Sequence, residues 1–247
     1  CADCTRFDIL ATMLNGHRIY RYSTIGSTND EAKRLAALGE PDGALVVADT
    51  QTAGRGRSGR QWVTPPGAAI AMSLILRPAL PTFQIAQVAL LGGLAALEGI
   101  EQTTGLTAEL KWPNDVLING RKVAGVLAEA AFTGDNLESV VLGIGVNVNA
   151  GPPLDLKLDY PATCLAAEAG HPLEREPLVN AIVAAFDARY RQLGTTVLRQ
   201  AWAKHLAMLG NKVKAIGPGE TVFGALEGVT DEGAVVILLE SGERRIV

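Results

Sequence analysis

Gln51-Thr-Ala-Gly-Arg-Gly-Arg-Ser-Gly-Arg-Gln-Trp62 sets three arginines, Arg55, Arg57 and Arg60, among three glycines, Gly54, Gly56 and Gly59, and ends on an indole. Glycine lets backbone N–H groups turn toward a ligand, and each guanidinium presents a planar fork that matches phosphate or carboxylate, so the stretch reads as an anion-binding loop. By charge pattern alone it serves equally as an exposed basic turn. Its flanks bear on the fold. Residues 44–49 and 68–76 are uncharged but for Asp49 and read as core strands, so the loop bridges two strands of one sheet. With so little apolar surface of its own, such a loop is expected to move until a ligand neutralises it. Gly54-x-Gly56-x-x-Gly59 formally matches a dinucleotide fingerprint, but Arg60, Trp62, Pro65 and Pro66 follow where an apolar helix should open. A phosphate-binding P-loop fails too, because Arg60-Gln61 replaces the required Lys and Ser or Thr.

Outward from the loop, the chain begins its first clear helix at Ser27-Thr28-Asn29-Asp30-Glu31, where Thr28 and Glu31 have capping-box spacing and Gly39 is placed as the stop. Residues 18–23 read as the strand before it, and residues 5–14 as a short helix. Free N–H groups at the helix start, beside two hydroxyls, suit a small polar ligand.

A long helix over 84–103 precedes Glu109-Leu-Lys-Trp-Pro-Asn-Asp-Val-Leu-Ile-Asn-Gly-Arg-Lys-Val-Ala-Gly125. Pro113 holds Trp112 extended, and Asn119-Gly120 is a two-residue hairpin turn of the primed type. Counting from that turn pairs Ile118 with Arg121, Leu117 with Lys122 and Asp115 with Ala124. Asp115 and Lys122 then become diagonal neighbours about 7–8 Å apart, with room between them for an anion or a metal-bridged phosphate. The strand over 139–149 places Gly143, Gly145, Asn147 and Asn149 on one face, where two missing side chains leave a flat space for something planar or for another backbone. A bulge would explain the glycines as well. Helices over 163–169, 175–193 and 196–207 follow, then strands over 212–216, 220–229 and 234–240 that read as a small β-barrel.

With 22 basic and 26 acidic residues among 247, the chain is no general nucleic-acid binder, and its arginine cluster is a local exception that suits a small anion. Three cysteines cannot close a disulfide framework, which favours a reducing compartment such as the cytoplasm. Cys1-x-x-Cys4 lacks the second pair that a zinc site needs. The uncharged run after Pro78 is broken by Pro81, two glutamines and Gly92-Gly93, so it reads as a buried helix rather than a membrane span.

Taken together, Ser27-Thr28-Asn29, the arginine loop, Lys111-Trp-Pro-Asn-Asp115, Arg121-Lys-Val-Ala-Gly125 and Gly143-Ile-Gly-Val-Asn147 resemble the biotin–protein ligase family in order and spacing. Pro161-Ala-Thr-Cys-Leu165 and the β-rich end extend the resemblance over nearly the whole chain. It implies an α+β fold: a mixed-sheet catalytic core of the biotin/lipoate ligase, class II synthetase-like type over 1–208, with an SH3-like C-terminal barrel over 209–247. It also implies a two-step reaction, in which biotin and MgATP give biotinyl-5′-AMP and a lysine of a biotin carboxyl carrier protein then takes the biotinyl group.

By the same resemblance, Ser27, Thr28, Asn29, Gln51, Gly54, Arg55, Gly56, Arg57, Lys122 and Gly125 bind biotin. Arg57, Arg60, Trp62, Lys111, Asn114, Lys122 and Asn147 face ATP. Arg57, Lys111, Asp115 and Lys122 carry the chemistry, and Asp115 either holds Mg2+ or orients the acceptor amine. Ser58 stands where more basic members carry a cation. Only 26 residues precede Ser27, too few for a winged DNA-binding domain, so the expectation is a ligase without repressor function, DNA or membrane partner, and compatible with a homodimer. The alternatives are a lipoate or octanoate ligase of the same fold, and a non-enzymatic regulator that binds biotinyl-AMP or RNA through its Arg-Gly loop.

Overall fold

A computed structural model describes residues 11–63, 65–153, 160–217 and 219–247. Strands β1 (Ala11–Leu14), β2 (His17–Ile25), β3 (Leu45–Gln51), β4 (Ala69–Leu76), β5 (Glu109–Lys111), β6 (Asp115–Ile118), β7 (Arg121–Thr133) and β8 (Asn136–Asn147) form one sheet in the order β1-β2-β3-β4-β8-β7-β6-β5. Only β2 and β3 run parallel, so the link between them must cross over, and helix α1 (Thr28–Ala37) does so.

The expected helix over 5–14 is corrected where it can be seen. Ala11–Leu14 is a strand paired with β2 through Asn15 and Gly16, both at positive φ (49° and 89°), the same primed turn that closes the β6–β7 hairpin at Asn119 and Gly120 (50° and 68°). Residues 5–10, with Cys1 and Cys4, lie outside the described residues.

Alternation along β8 sends Leu142, Ile144 and Val146 to one face, where they join α2 (Ala86–Thr104), α3 (Leu165–Ala169), α4 (Arg175–Tyr190) and α5 (Thr196–Ala203) in one continuous core. Helix α2 is apolar over most of its surface because it lies between the sheet and α4. A Cβ on Gly99 would fall 2.8 Å from the backbone nitrogen of Ile182, so only glycine permits that crossing. The apolar helix at Thr82–Thr104 is long enough to cross a membrane, but 67% of its apolar window is buried inside the protein.

The opposite face carries α1 over part of its width, packed through Ala32, Leu35 and Ala36 on Tyr20, Tyr22, Val46 and Val141. The rest of that face is open, and Gly143, Gly145 and Asn147 look into it. Asn149 does not join them as expected: the strand ends at Asn147, and the Asn149 side chain exchanges hydrogen bonds with the backbone of Leu173.

The end of the chain forms a second, antiparallel sheet of β9 (Lys212–Gly217), β10 (Glu220–Val229), β11 (Val235–Leu238) and β12 (Arg244–Ile246), in the order β12-β11-β10-β9. Its inner residues Val222, Leu226, Val229 and Ile237 join the main core. Trp112 Nε1 donates to Gly233 O at 2.8 Å and fixes this sheet beside the β5–β6 turn. The fold is therefore α+β, a mixed main sheet followed by a small antiparallel one.

Candidate active site

Side chains from five separated stretches meet over the open face of the sheet, around a cavity of about 980 Å³. Ser27, Thr28, Asn29, Gln51, Arg55, Gly56, Arg57, Arg60, Trp62, Lys111, Asn114, Asp115, Lys122, Gly125 and Asn147 all line it. Gly54 does not. It lies just beneath, where a Cβ would collide with the carbonyl oxygen of Trp62 and come within 2.9 Å of the Gln51 amide nitrogen.

One end of the cavity is polar and its charge is neutralised within the chain, because Arg55 there pairs with Asp30 at 2.5 Å and with Glu129 at 3.5 Å. Helix α1 begins at Thr28 with Ser27 as an extended N-cap that makes no side-chain cap bond. The expected Thr28–Glu31 capping box is absent. Glu31 instead accepts from Tyr22 Oη at 2.7 Å and from Arg34, while the Thr28 N–H is taken by Gln51 Oε1 at 2.7 Å. The strand before the loop thus supplies the cap from a distance.

The other end is charged. Lys122 Nζ lies 2.6 Å from Asp115 Oδ1, in place of the open gap expected between them. The register explains the difference, because Asp115 opposes Gly125 rather than Ala124, and β7 is irregular between its Lys122 and Ala124 partners. Val123 is the extra residue of this bulge. It lets Val123 and Ala124 both enter the core while Lys122 and Gly125 both face the cavity. The Asp115 Oδ1 contact is an ion pair without an aligned hydrogen bond. Arg57 stands beside this pair. Burial lowers its pKa, Asp115 opposes that shift and Arg60 adds to it, yet a guanidinium stays charged at neutral pH.

The arginine loop closes on itself through Gly56 N–H to Arg60 O at 2.7 Å and a bridge between Arg55 and Gln61, with Ser58 at φ 54° and Gly59 at φ 74° at its tip. This places Trp62 flat on the sheet. A Cβ on Gly145 would come 2.6 Å from the indole and one on Gly125 3.3 Å from it, so the flat space read from the glycines is filled by a planar group of the chain itself. The indole Nε1 is buried with no hydrogen-bond partner among the described residues.

The chain matches the Biotin/lipoate A/B protein ligase family over residues 22–147 and the Biotin protein ligase C terminal domain over 208–247. It belongs to this ligase family. It is 40% identical over 244 residues to the Bifunctional ligase/repressor BirA of Bacillus subtilis (strain 168), covering 96% of this chain and 74% of that protein. It is 38% identical to the Biotin--[acetyl-CoA-carboxylase] ligase of Paracoccus denitrificans, covering 89% of this chain and 94% of that one. Among solved structures, the biotin protein ligase from Aquifex aeolicus in complex with biotin and ATP aligns with a TM-score of 0.78 and 28% identity, over 93% of this chain and 94% of that one.

Around this family cavity stand residues that no local pattern announces. Tyr160 lies under the Lys111 ammonium, 4.9 Å from ring centroid to Nζ, and Ile216 reaches the rim from the small sheet. Ser73 and Glu129 stand behind Asn29. Ser73 sits in an otherwise apolar strand, and only its isolation as the one hydroxyl of β4 could have drawn notice. No three His, Cys, Asp or Glu side chains converge among the described residues, so Asp115 stands as a lone carboxylate.

Proposed function

We infer that this chain is an ATP-dependent biotin–protein ligase, which joins biotin to AMP and passes the biotinyl group to a protein lysine. The observation that carries the reading is the division of one cavity between a hydrogen-bonding end at Thr28 and Gln51 and a cationic end at Arg57 and Lys122. That layout suits a molecule with a polar ring at one end and a carboxylate at the other.

At the cationic end the chain has to bring a carboxylate against the α-phosphate of a polyanion. Fixed positive charge offsets their repulsion as the bond forms, and it acts without reorganising when it is already held in place. Asp115 does that holding for Lys122. Lys111, steadied on the Tyr160 ring, adds a third cation from the strand edge. The acyl adenylate is labile to water, and the loop from Gly54 to Trp62 arches over the space where it would lie. Magnesium accepts one or two protein carboxylates and keeps its remaining sites for water and phosphate, so the partly exposed Asp115 carboxylate fits as its protein ligand. Bound there, the ion would neutralise charge on the ATP phosphates. We assign biotin to the end formed by Ser27, Thr28, Gln51, Arg55 and Gly125, and the adenylate to Arg60, Trp62, Asn114 and Asn147. The acceptor is a carrier domain of a biotin-dependent carboxylase, and we place the division of labour near residue 208.

Lipoate or octanoate suits the polar end less well. An apolar chain there would leave the amide nitrogen of Gln51, which has no partner among the described residues, dry and unpaired, at a cost of about 1–3 kcal/mol. Release of pyrophosphate from MgATP tests the assignment. It should require biotin and should not be supported by lipoate; release with lipoate in preference to biotin would defeat it.

A further inference from the structure

Behind the polar end runs a line of side chains, buried at Thr28, Asn29 and Ser73, whose protons can be counted. Glu129 is an acceptor only: burial would raise its pKa, but hydrogen bonds from Lys33 and Asn29 and the charges of Lys33 and Arg55 outweigh that and hold it lowered. Asn29 must therefore turn its amide nitrogen to Glu129, where it donates to Oε2 at 2.7 Å. Its carbonyl oxygen then faces Ser73 Oγ at 2.6 Å and needs a proton, which only the Ser73 hydroxyl can give. Ser73 is fully buried, so no water supplies an alternative.

With its proton spent on Asn29, Ser73 Oγ is an acceptor toward Thr28 Oγ1 at 2.8 Å. Thr28 has one proton and two inward acceptors, Ser73 Oγ and, at 3.0 Å, Gln51 Oε1. Whichever takes it, none is left for the cavity. Gln51 is fixed in the opposite sense, because its carbonyl oxygen receives the Thr28 N–H and its amide nitrogen remains as a donor. Acceptor and donor thus stand side by side.

We propose that Ser73 and Asn29 are positioning residues that set the hydrogen-bond polarity of this end, holding Thr28 as an acceptor beside the Gln51 donor, so that the cavity selects a ring N–H next to a ring carbonyl. This deepens the reading of the cavity as a biotin site and rests on it. It also changes the part played by Asn29. Its amide is consumed in the line behind Thr28 and acts on the ligand through that residue. The arrangement explains why Gly143 carries no side chain, since a Cβ there would strike Asn29 Oδ1 and turn the amide.

The test compares biotin with its two cyclic carbamate analogues, in each of which one ring N–H is replaced by oxygen, as substrates for pyrophosphate release. A buried acceptor facing an oxygen discriminates strongly, so the wild-type chain should prefer biotin over one analogue by about a hundredfold or more in kcat/KM. Ser73→Ala removes the nearer of the two inward acceptors and leaves the Thr28 hydroxyl only Gln51 Oε1 at 3.0 Å, an oxygen already taken by the Thr28 N–H, so that the hydroxyl gains freedom to rotate and donate to the cavity. The preference should fall at least about tenfold, chiefly through a higher KM for biotin and a lower KM for that analogue. Ser73→Cys keeps the volume but offers Asn29 a weak donor, and it should move the ratio in the same direction if Ser73→Ala does not fold. A merely structural role would slow both substrates alike. An unchanged ratio in the folded variants, or no preference in the wild type, overturns the proposal. Absence of any biotin-dependent pyrophosphate release would instead overturn the function, and this inference with it.

Discussion

Lys122 and Asp115 form a 2.6 Å ion pair because β7 carries one residue more than its partner strand, and that residue, Val123, is buried. The bulge converts a hydrophobic demand of the core into the placement of a charge. Core packing on one face of the hairpin and chemistry on the other are set by the same insertion.

Removal of that ammonium should therefore be felt in the reaction before it is felt in the fold. Lys122→Ala takes away a side chain that lines the cavity rather than the core, but it strips the reacting phosphate of a fixed cation, a loss commonly worth about 2.7–4 kcal/mol of transition-state stabilisation. Biotin-dependent pyrophosphate release should fall by about 10²- to 10³-fold, with the circular dichroism spectrum unchanged. Near-normal release would take Lys122 out of the mechanism.

The two glycines of β8 should respond unequally to the same added methyl. At Gly145 the new Cβ meets the Trp62 indole, which is held by no hydrogen bond among the described residues and can slide, whereas at Gly143 it meets Asn29, fixed by Ser73 and Glu129. Overpacking costs about 1–3 kcal/mol, and Gly143→Ala should lie at or above the top of that range while Gly145→Ala lies near the bottom. Urea midpoints measure both, and tryptophan emission should change with Gly145→Ala. Equal destabilisation would mean that the Asn29 line is no more rigid than the indole.

Glu168 ties the hairpin tip to the segment after residue 160, accepting a hydrogen bond from Asn119 Nδ2 at 2.9 Å and forming an ion pair with Arg121 at 2.7 Å. Burial would raise its pKa, but hydrogen bonds from Thr163, Asn119 and Arg121 and the Arg121 charge lower it below the ordinary 4.5. A carboxylate lowered in the folded state stabilises above its unfolded pKa and loses that contribution as the pH falls through the folded one. The wild type should lose stability as the pH drops below 4.5, and Glu168→Gln should flatten the loss. Parallel curves of midpoint against pH would show that Glu168 contributes nothing to acid sensitivity.

Much of this was legible in the sequence where a residue's own geometry demands it. Asn119-Gly120 announced a hairpin because both positions need positive φ, and Gly143 with Gly145 announced a close planar neighbour because a side chain was missing where a strand favours one. Asn15-Gly16 carries the same signal as Asn119-Gly120, and the helix expected over 5–14 took no account of it. The Val123 bulge could not be read, since a turn fixes register only when no residue is inserted and the insertion is driven by a core more than a strand away. Ser73 and Glu129 were silent for a similar reason: their roles exist only once β4 and β7 flank β8 beneath α1.

Arg57 separates making the intermediate from keeping it. Its guanidinium lies within the field of Asp115 at the charged end of the cavity, where it would hold the anionic end of the intermediate, so Arg57→Gly should still adenylate biotin, more slowly, but release the activated ester to label lysines on bystander proteins. Proteolysis after Arg55 or Arg60 should slow when biotin and ATP bind, because only an opened loop is cut. Confinement of label to the acceptor, with cutting unaffected by substrates, would make the loop a static binding surface.

The central claim is the transfer itself. With biotin, MgATP and a biotin carboxyl carrier domain, intact-mass spectrometry should find one biotinyl group per carrier, located on one lysine and absent when biotin or ATP is withheld or Lys122→Ala replaces the wild type. A carrier whose mass is unchanged after the chain has released pyrophosphate would contradict a protein ligase, and no pyrophosphate at all would contradict the activation step as well.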